Sequence, residues 1–363
     1  MLSPKKRRNI SRIIPFGVIW YIFGLVYVIV EKGILGEFDY HPSTGIPYKL
    51  KVSFLFSFSM ALVGLVVGTV EILYLNRLFI HKNFWQKIFY KTLIYILLNF
   101  GFTVIAYTSG TALELRTNLL DPAVWERLYV FVSNIAYLSV EVYTALTLSV
   151  SLFYFEISEN IGHGVLLNFF KGKYHQPSIE ERIFMFLDMK SSTTIAEKLG
   201  HVRYFEMLSD YYADLSNSIV SYSGEIYQYV GDEIIVSWKV EKGLKNNNCL
   251  QCYFDMKNSL EKHVEKYRKK YGLVPTFKAG LHVGEATTGE IGVIKKEIIF
   301  TGDVLNTTAR IQGLCNTYKV DLLISADLQK RLELTSDWQI KPLGKSELRG
   351  RSENIELFTI HSQ

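Results

Sequence analysis

At 363 residues the chain is long enough for two structural units, and its 48% apolar content is concentrated in about the first 155 residues. A net charge of +5, with neither an acidic nor a basic tail, gives no footprint for a nucleic-acid partner. The three cysteines, Cys249, Cys252 and Cys315, all fall in the second half, where a reducing compartment would leave them as thiols.

The first predicted elements are four apolar stretches, 13–30, 52–75, 88–108 and 129–154, each close to the roughly 20 residues that a spanning helix needs. The first lacks a small-residue cleavage site and reads as a retained helix. Lys5, Lys6, Arg7, Arg8 and Arg12 precede it, and Arg77, Lys82 and Lys87 fill the second connection, while the opposite connections balance their charges. Both termini are therefore expected in the cytoplasm, with residues 1–155 forming a multi-pass domain in the lipid of a cell (inner) membrane. Glu141 falls near the middle of the fourth span and Glu71 near the cytoplasmic end of the second, and such carboxylates face a bundle interior or a polar cavity. Ligand sensing, proton sensing or a helix-packing hydrogen bond would each explain Glu141. No span contains histidine, which argues against an intramembrane bis-histidine haem.

Ile157, Ile161, Val165 and Phe169 recur every fourth residue, so 156–179 reads as an amphipathic connector helix and linker, either solitary or bundled in a dimer. From 180 to 363 the pattern alternates. A buried strand is expected at 182–187 and a helix at 202–221 ended by Gly224. A hairpin follows at 225–229 and 234–238, then a helix over 249–271 with the run Asn246-Asn247-Asn248 as its cap. Cys249, Cys252, Met256 and Leu260 share one helical face, so the C-x-x-C pair reads as core packing. Further strands fit 276–283 and 298–301, and Asp303 is placed to cap the next helix. This order gives an α+β fold with helices packed on a mostly antiparallel sheet.

Asp188 ends the first of these strands and Asp232 sits in the hairpin turn, so two carboxylates can meet at a sheet edge. Carboxylate pairs hold hard divalent cations that clamp both oxygens of a phosphoryl displacement. Lys190-Ser191-Ser192-Thr193 then starts a helix whose N–H groups suit a triphosphate. Asn306 and Arg310, four residues apart, share a helix face and offer an amide and a guanidinium to a nucleotide.

The segments Phe186-Leu187-Asp188-Met189-Lys190-Ser191-Ser192-Thr193, Tyr229-Val230-Gly231-Asp232, Gly280-Leu281-His282-Val283-Gly284-Glu285, Gly302-Asp303-Val304-Leu305-Asn306-Thr307-Thr308-Ala309-Arg310 and Leu348-Arg349-Gly350 occur in this order. Together they make the region from about 180 to 360 resemble the class III nucleotidyl cyclases. The resemblance implies a ferredoxin-like α/β sandwich and a reaction in which the 3′-hydroxyl of the nucleotide attacks its own α-phosphate and releases pyrophosphate. It implies two Mg2+ or Mn2+ ions at Asp188 and Asp232, with Met189 in the metal set, Asn306 on the ribose, and Arg310 and Arg349 on the phosphates. Ser192 and Thr193 would face the nucleotide as well. It also implies a head-to-tail homodimer in which each site combines the aspartates of one subunit with the asparagine and arginine of the other.

Three positions depart from the family pattern. The base-reading lysine is Gln228 here and its acidic or threonine partner is Ile299, while the phosphate lysine is Arg349, with Arg351 and Lys345 nearby. Glutamine both donates and accepts, so it reads a base less sharply than a charged pair. ATP is favoured because the glutamate and cysteine that mark guanylate cyclases are absent. The resulting expectation is a membrane-anchored adenylate cyclase. A guanylate or mixed-specificity cyclase and a catalytically silent nucleotide-binding receptor are the alternatives, and a diguanylate cyclase has no use for the Asn306/Arg310 helix. His282 reads as a core histidine and is left out of the site.

Overall fold

The computed structural model describes residues 3–36, 50–79, 82–161, 166, 172, 176–294, 297–336, 338–347 and 354–362. Its contacts divide the chain into two units, with the boundary between Leu167 and Asn168.

The first unit is helical. Helix α1 covers Pro4–Leu35; α2 covers Leu50–Val70 and runs on through a π-turn, Glu71–Leu75, to Asn76–Leu78; α3 is Phe84–Leu115, α4 Pro122–Val132 and α5 Ile135–Ile161. Four helical segments, Pro4–Ile34, Phe54–Leu75, Phe84–Leu115 and Tyr137–Ile161, are long and apolar enough to cross a membrane. The fourth expected stretch, 129–154, is cut in two, because Ser133 and Asn134 turn the chain and their N–H groups bond back to the Tyr129 and Phe131 carbonyls. Apolar residues on both sides of that turn hide it from a hydropathy window.

Phe16, Trp20, Val67, Ile72, Ile88, Leu148, Leu152 and Phe155 form the core of this unit. A buried set of charges lies beside it. Lys91 Nζ is 2.6 Å from Glu71 Oε1 and 2.9 Å from Glu156 Oε1, and Lys87 Nζ is 3.1 Å from Glu156 Oε2. Glu71 opens the π-turn, the kind of local helix widening that accompanies functional or strained positions. Glu141 Oε1 accepts from Asn99 Nδ2 at 2.8 Å, an interhelical bond between α5 and α3 that matches the packing explanation. A paired buried charge is tolerated, whereas an orphaned one is costly. Lys91→Met is therefore expected to destabilise this unit by about 3–5 kcal/mol, read as a fall in Tm in detergent.

The second unit contains β1 Ser178–Met189, α6 Ser192–Leu199, α7 His201–Ser221, β2 Glu225–Val230, β3 Glu233–Lys239, α8 Val240–Leu244, α9 Asn248–Lys262 and α10 Val264–Tyr271. Then follow β4 Phe277–Ile291, β5 Glu297–Thr301, α11 Asp303–Gly313, α12 Cys315–Tyr318, β6 Leu322–Ser325, α13 Ala326–Gln329, β7 Trp338–Ser346 and β8 Ile355–Ser362. The sheet order is β2-β3-β1-β4-β6-β8-β7, with β5 on β4. Only the β4–β6 pair is parallel among the described strands.

Both faces of β1 are covered, so it reads as an unbroken apolar run. Ile183, Met185 and Leu187 join Met207, Tyr211 and Leu215 of α7 and Cys252 and Met256 of α9. Phe184 and Phe186 pack on the other face with Ile235, Ala286 and Val304. All three cysteines are free and buried, and burial pushes the Cys249 thiol up to about 12, which fits packing rather than metal or redox chemistry.

Four local expectations need correction. The helix expected over 249–271 breaks at His263, whose Nδ1 lies 2.7 Å from the Ser259 carbonyl and whose backbone leaves helical geometry. Asn247 holds the N-cap position of α9 without capping it, because its side chain bonds the Glu333 backbone instead. Gly302, not Asp303, is the N-cap of α11, and Asp303 accepts from the Thr307 hydroxyl at 3.2 Å. Ser223, at φ 59°, takes the left-handed position after α7. Gly224 follows it, donating to the Ile219 carbonyl at 2.8 Å.

Candidate active site

In the β1–β3 ladder Leu187 pairs with Ile234. One residue further along β1 and two back along β3 bring Asp188 beside the turn that carries Asp232. Gly231, at φ 63°, supplies the left-handed turn residue, and the Tyr212 hydroxyl holds its carbonyl at 2.5 Å. The sheet thus does what the spacing of the two aspartates along the chain cannot.

Two further groups reach Asp188. Lys278, opposite it on β4, places Nζ 3.4 Å from Oδ2, and Gln312 Nε2 of α11 lies 3.3 Å from the same oxygen. Gln312 can come this close because Gly280 has no Cβ; one added there would meet the Gln312 backbone nitrogen at 2.5 Å.

Burial holds the Asp188 carboxyl above its ordinary range, the neighbouring Asp232 adds to the shift, and Lys278 opposes it. Glu233, next along β3, is pushed up to about 7 by burial and then by the two aspartates. Asp232 Oδ2 is buried without a hydrogen-bond partner. Facing carboxylates with an unpartnered buried oxygen fit a hard divalent cation, which neutralises both. No cluster of three or more His, Cys, Asp or Glu side chains forms a protein-only cage among the described residues. Two carboxylates are enough for a hard cation that completes its shell with water and phosphate. The Met189 side chain is buried in the core, so only its main chain is available to a metal, and a thioether would in any case be a soft ligand.

Ser192 and Thr193 form the first turn of α6, a helix start where one was expected, while Lys190 turns aside to pair with Asp321. On α11, Val304, Thr307, Thr308, Ile311 and Gln312 are buried. Asn306 and Arg310 lie on the opposite side of the helix, with Asn306 exposed. Among the described residues no hydrogen bond or ion pair joins either of them to Asp188 or Asp232. Gln228 is exposed on β2, and Ile299 is partly buried on β5. Arg349 and Arg351 lie outside the described residues; Lys345 is exposed on β7. His282 is buried with Nδ1 2.8 Å from Ser325 Oγ, the satisfied core position expected for it.

Residues 174–362 match the family described as adenylate and guanylate cyclase catalytic domain. The chain belongs to the class III nucleotidyl cyclases. Adenylate cyclase 2 of Rhizobium meliloti (strain 1021) is 33% identical over 269 residues, covering 73% of this chain and 70% of that protein. That alignment is longer than the catalytic region alone. Adenylate cyclase 1 of the same organism is 27% identical over 187 residues, covering 50% of this chain and 27% of its own. A bacterial light-regulated adenylyl cyclase structure superposes with a TM-score of 0.54 at 20% identity, over 63% of this chain and 66% of its own. The catalytic unit is therefore adenylate cyclase-like, on the α+β fold of the family.

Sequence reading missed Lys278, Gln312 and Glu233. Glu233 adjoins Asp232 and was open to notice; the other two become visible only through the β1–β4 register and the α11 packing. In metal-free protein the folded Glu233 binds its proton more tightly than its ordinary value of 4.5, so its stabilising effect is complete below 4.5 and disappears as pH rises through about 7. Melting curves of metal-free protein between these pH values are expected to show declining Tm, with Glu233→Gln flattening the decline.

Proposed function

We propose that the protein is a membrane-anchored adenylate cyclase that converts ATP to 3′,5′-cyclic AMP and pyrophosphate as a homodimer. One observation carries this reading: Asp188 and Asp232 converge in one chain, whereas Asn306 and Arg310 of that chain lie on the side of α11 turned away from its own sheet. A second copy, placed head to tail, supplies the missing half of each site. Two divalent ions, magnesium or manganese, would neutralise the triphosphate when bound to Asp188 and Asp232.

The chain's own groups do the rest. Asn306 orients the ribose so that its 3′-hydroxyl faces the α-phosphate, and Arg310 stabilises charge gathering on the phosphate oxygens. The first turn of α6, with Ser192 and Thr193, offers N–H groups to the phosphates, and Arg349 adds a guanidinium. Gln228 reads the base edge through its amide, beside Ile299. Lys278 steadies Asp188 in its ionised form. The four apolar helices hold the catalytic unit at a cytoplasmic membrane face, an orientation supported by Arg12, Arg77, Lys82 and Lys87. The segment between α5 and β1, most of which lies outside the described residues, then links anchor and catalytic unit.

The full chain in detergent with Mn2+ and either ATP or GTP, with cyclic products separated by chromatography, is expected to favour cyclic AMP. A preference for GTP would move the assignment to a guanylate cyclase, and binding without turnover would make it a receptor. Asp188→Ala or Asp232→Ala should remove product formation while leaving the melting transition. Arg310→Ala should lower the rate by about 10²–10³. Mixing Asp188→Ala with Arg310→Ala chains should restore up to about a quarter of the wild-type rate, because half of randomly formed dimers are mixed and each has one intact site. Absence of recovery would refute the composite site.

A further inference from the structure

The β2–β3 ladder slips beside the base-reading positions. Ile226 pairs with Val236 and Gln228 with Ile235, so Tyr227 is an extra residue without a partner on β3. Bulges of this kind re-aim a side chain. Tyr227 reaches β5, a strand that β2 does not touch in the sheet. Its hydroxyl accepts from the Phe300 N–H at 3.1 Å and lies 3.5 Å from the Phe300 carbonyl, and the two rings meet edge to face at 5.0 Å. Tyr227 directly precedes Gln228, and Phe300 directly follows Ile299.

A second link runs in parallel. The Arg182 guanidinium lies 4.7 Å from the centroid of the Phe300 ring. One of its nitrogens is 2.5 Å from Glu225 Oε2 on β2 and 3.0 Å from Ser237 Oγ on β3. Arg182 is buried on β1, so one side chain joins β1, β2, β3 and β5. Planarity matters here, because a guanidinium can stack on a ring while its edge bonds a carboxylate.

We infer that Tyr227, braced by Arg182, is a positioning residue for nucleotide choice: it fixes the separation of β2 and β5 and so the distance between Gln228 and Ile299. This rests on the proposed base-reading roles of those two residues. A neutral amide and an aliphatic side chain discriminate little between bases by themselves, so the preference depends on how rigidly the two strands are held apart.

The test measures kcat and KM for ATP and for GTP separately on the full-length chain with Mn2+. Tyr227→Phe keeps the ring and its packing and removes only the hydroxyl clasp. Its expected effect is a change of about three- to tenfold in the ATP to GTP ratio of kcat/KM, the size that one hydrogen bond carries, located in KM. Arg182→Lys, which keeps the charge but not the stacking plane, should move the ratio in the same direction. A purely structural role would instead lower kcat for both nucleotides in equal proportion and overturn the inference. If Gln228→Ala changes the ratio while Tyr227→Phe and Arg182→Lys do not, the positioning role fails and the base-reading role stands. If Gln228→Ala leaves the ratio unchanged, the base-reading role fails and the inference falls with it.

Discussion

The repulsion between Asp188 and Asp232 is the constraint around which the catalytic unit is organised. Like charges at the end of a strand pair and its adjoining turn come together only if the surrounding structure holds them there. The register of β1 on β3 does this through Ile183, Met185 and Leu187 on one face and Phe184 and Phe186 on the other, each seated in a separate apolar cluster. Sliding the ladder by one residue would exchange these two sets between faces that differ in shape. Lys278 and Gln312 offset part of the charge on Asp188 from the β4 side. Beside them, Asp232 Oδ2 stays buried without a hydrogen-bond partner.

Helix α11 answers to two requirements at once. Val304, Ile311 and Gln312 tie it to the sheet, and its other side carries Asn306 and Arg310. The arrangement explains why Thr307 and Thr308 sit on the buried side: their hydroxyls bond Asp303 and the Val304 carbonyl within the helix and leave no unpaired group against the sheet.

Much of this was legible in the sequence because the informative features are local. The run of apolar residues before Asp188, the turn at Gly231 and the four-residue spacing of Asn306 and Arg310 each point to an element type and to a side-chain direction. What escaped depends on contacts between distant segments. Lys278 has no local mark and becomes relevant only when β4 lies opposite β1. The bulge at Tyr227 cannot be seen in β2 alone, since a bulge is a property of two strands. Likewise, Asn246-Asn247-Asn248 has the composition of a cap, but the Asn247 amide is committed to Glu333 across the fold. In the helical unit Glu71 was visible and its partner Lys91 was not, because a lone lysine within an apolar stretch reads as an interruption until the helix that pairs with it is known.

Gly280 has a mechanical consequence. Helix α11 rests so closely on β4 at this point that any side chain at 280 would push the helix off the strand and carry the Gln312 amide away from Asp188. A missing methyl group on one strand thus sets how the carboxylate on its neighbour is held.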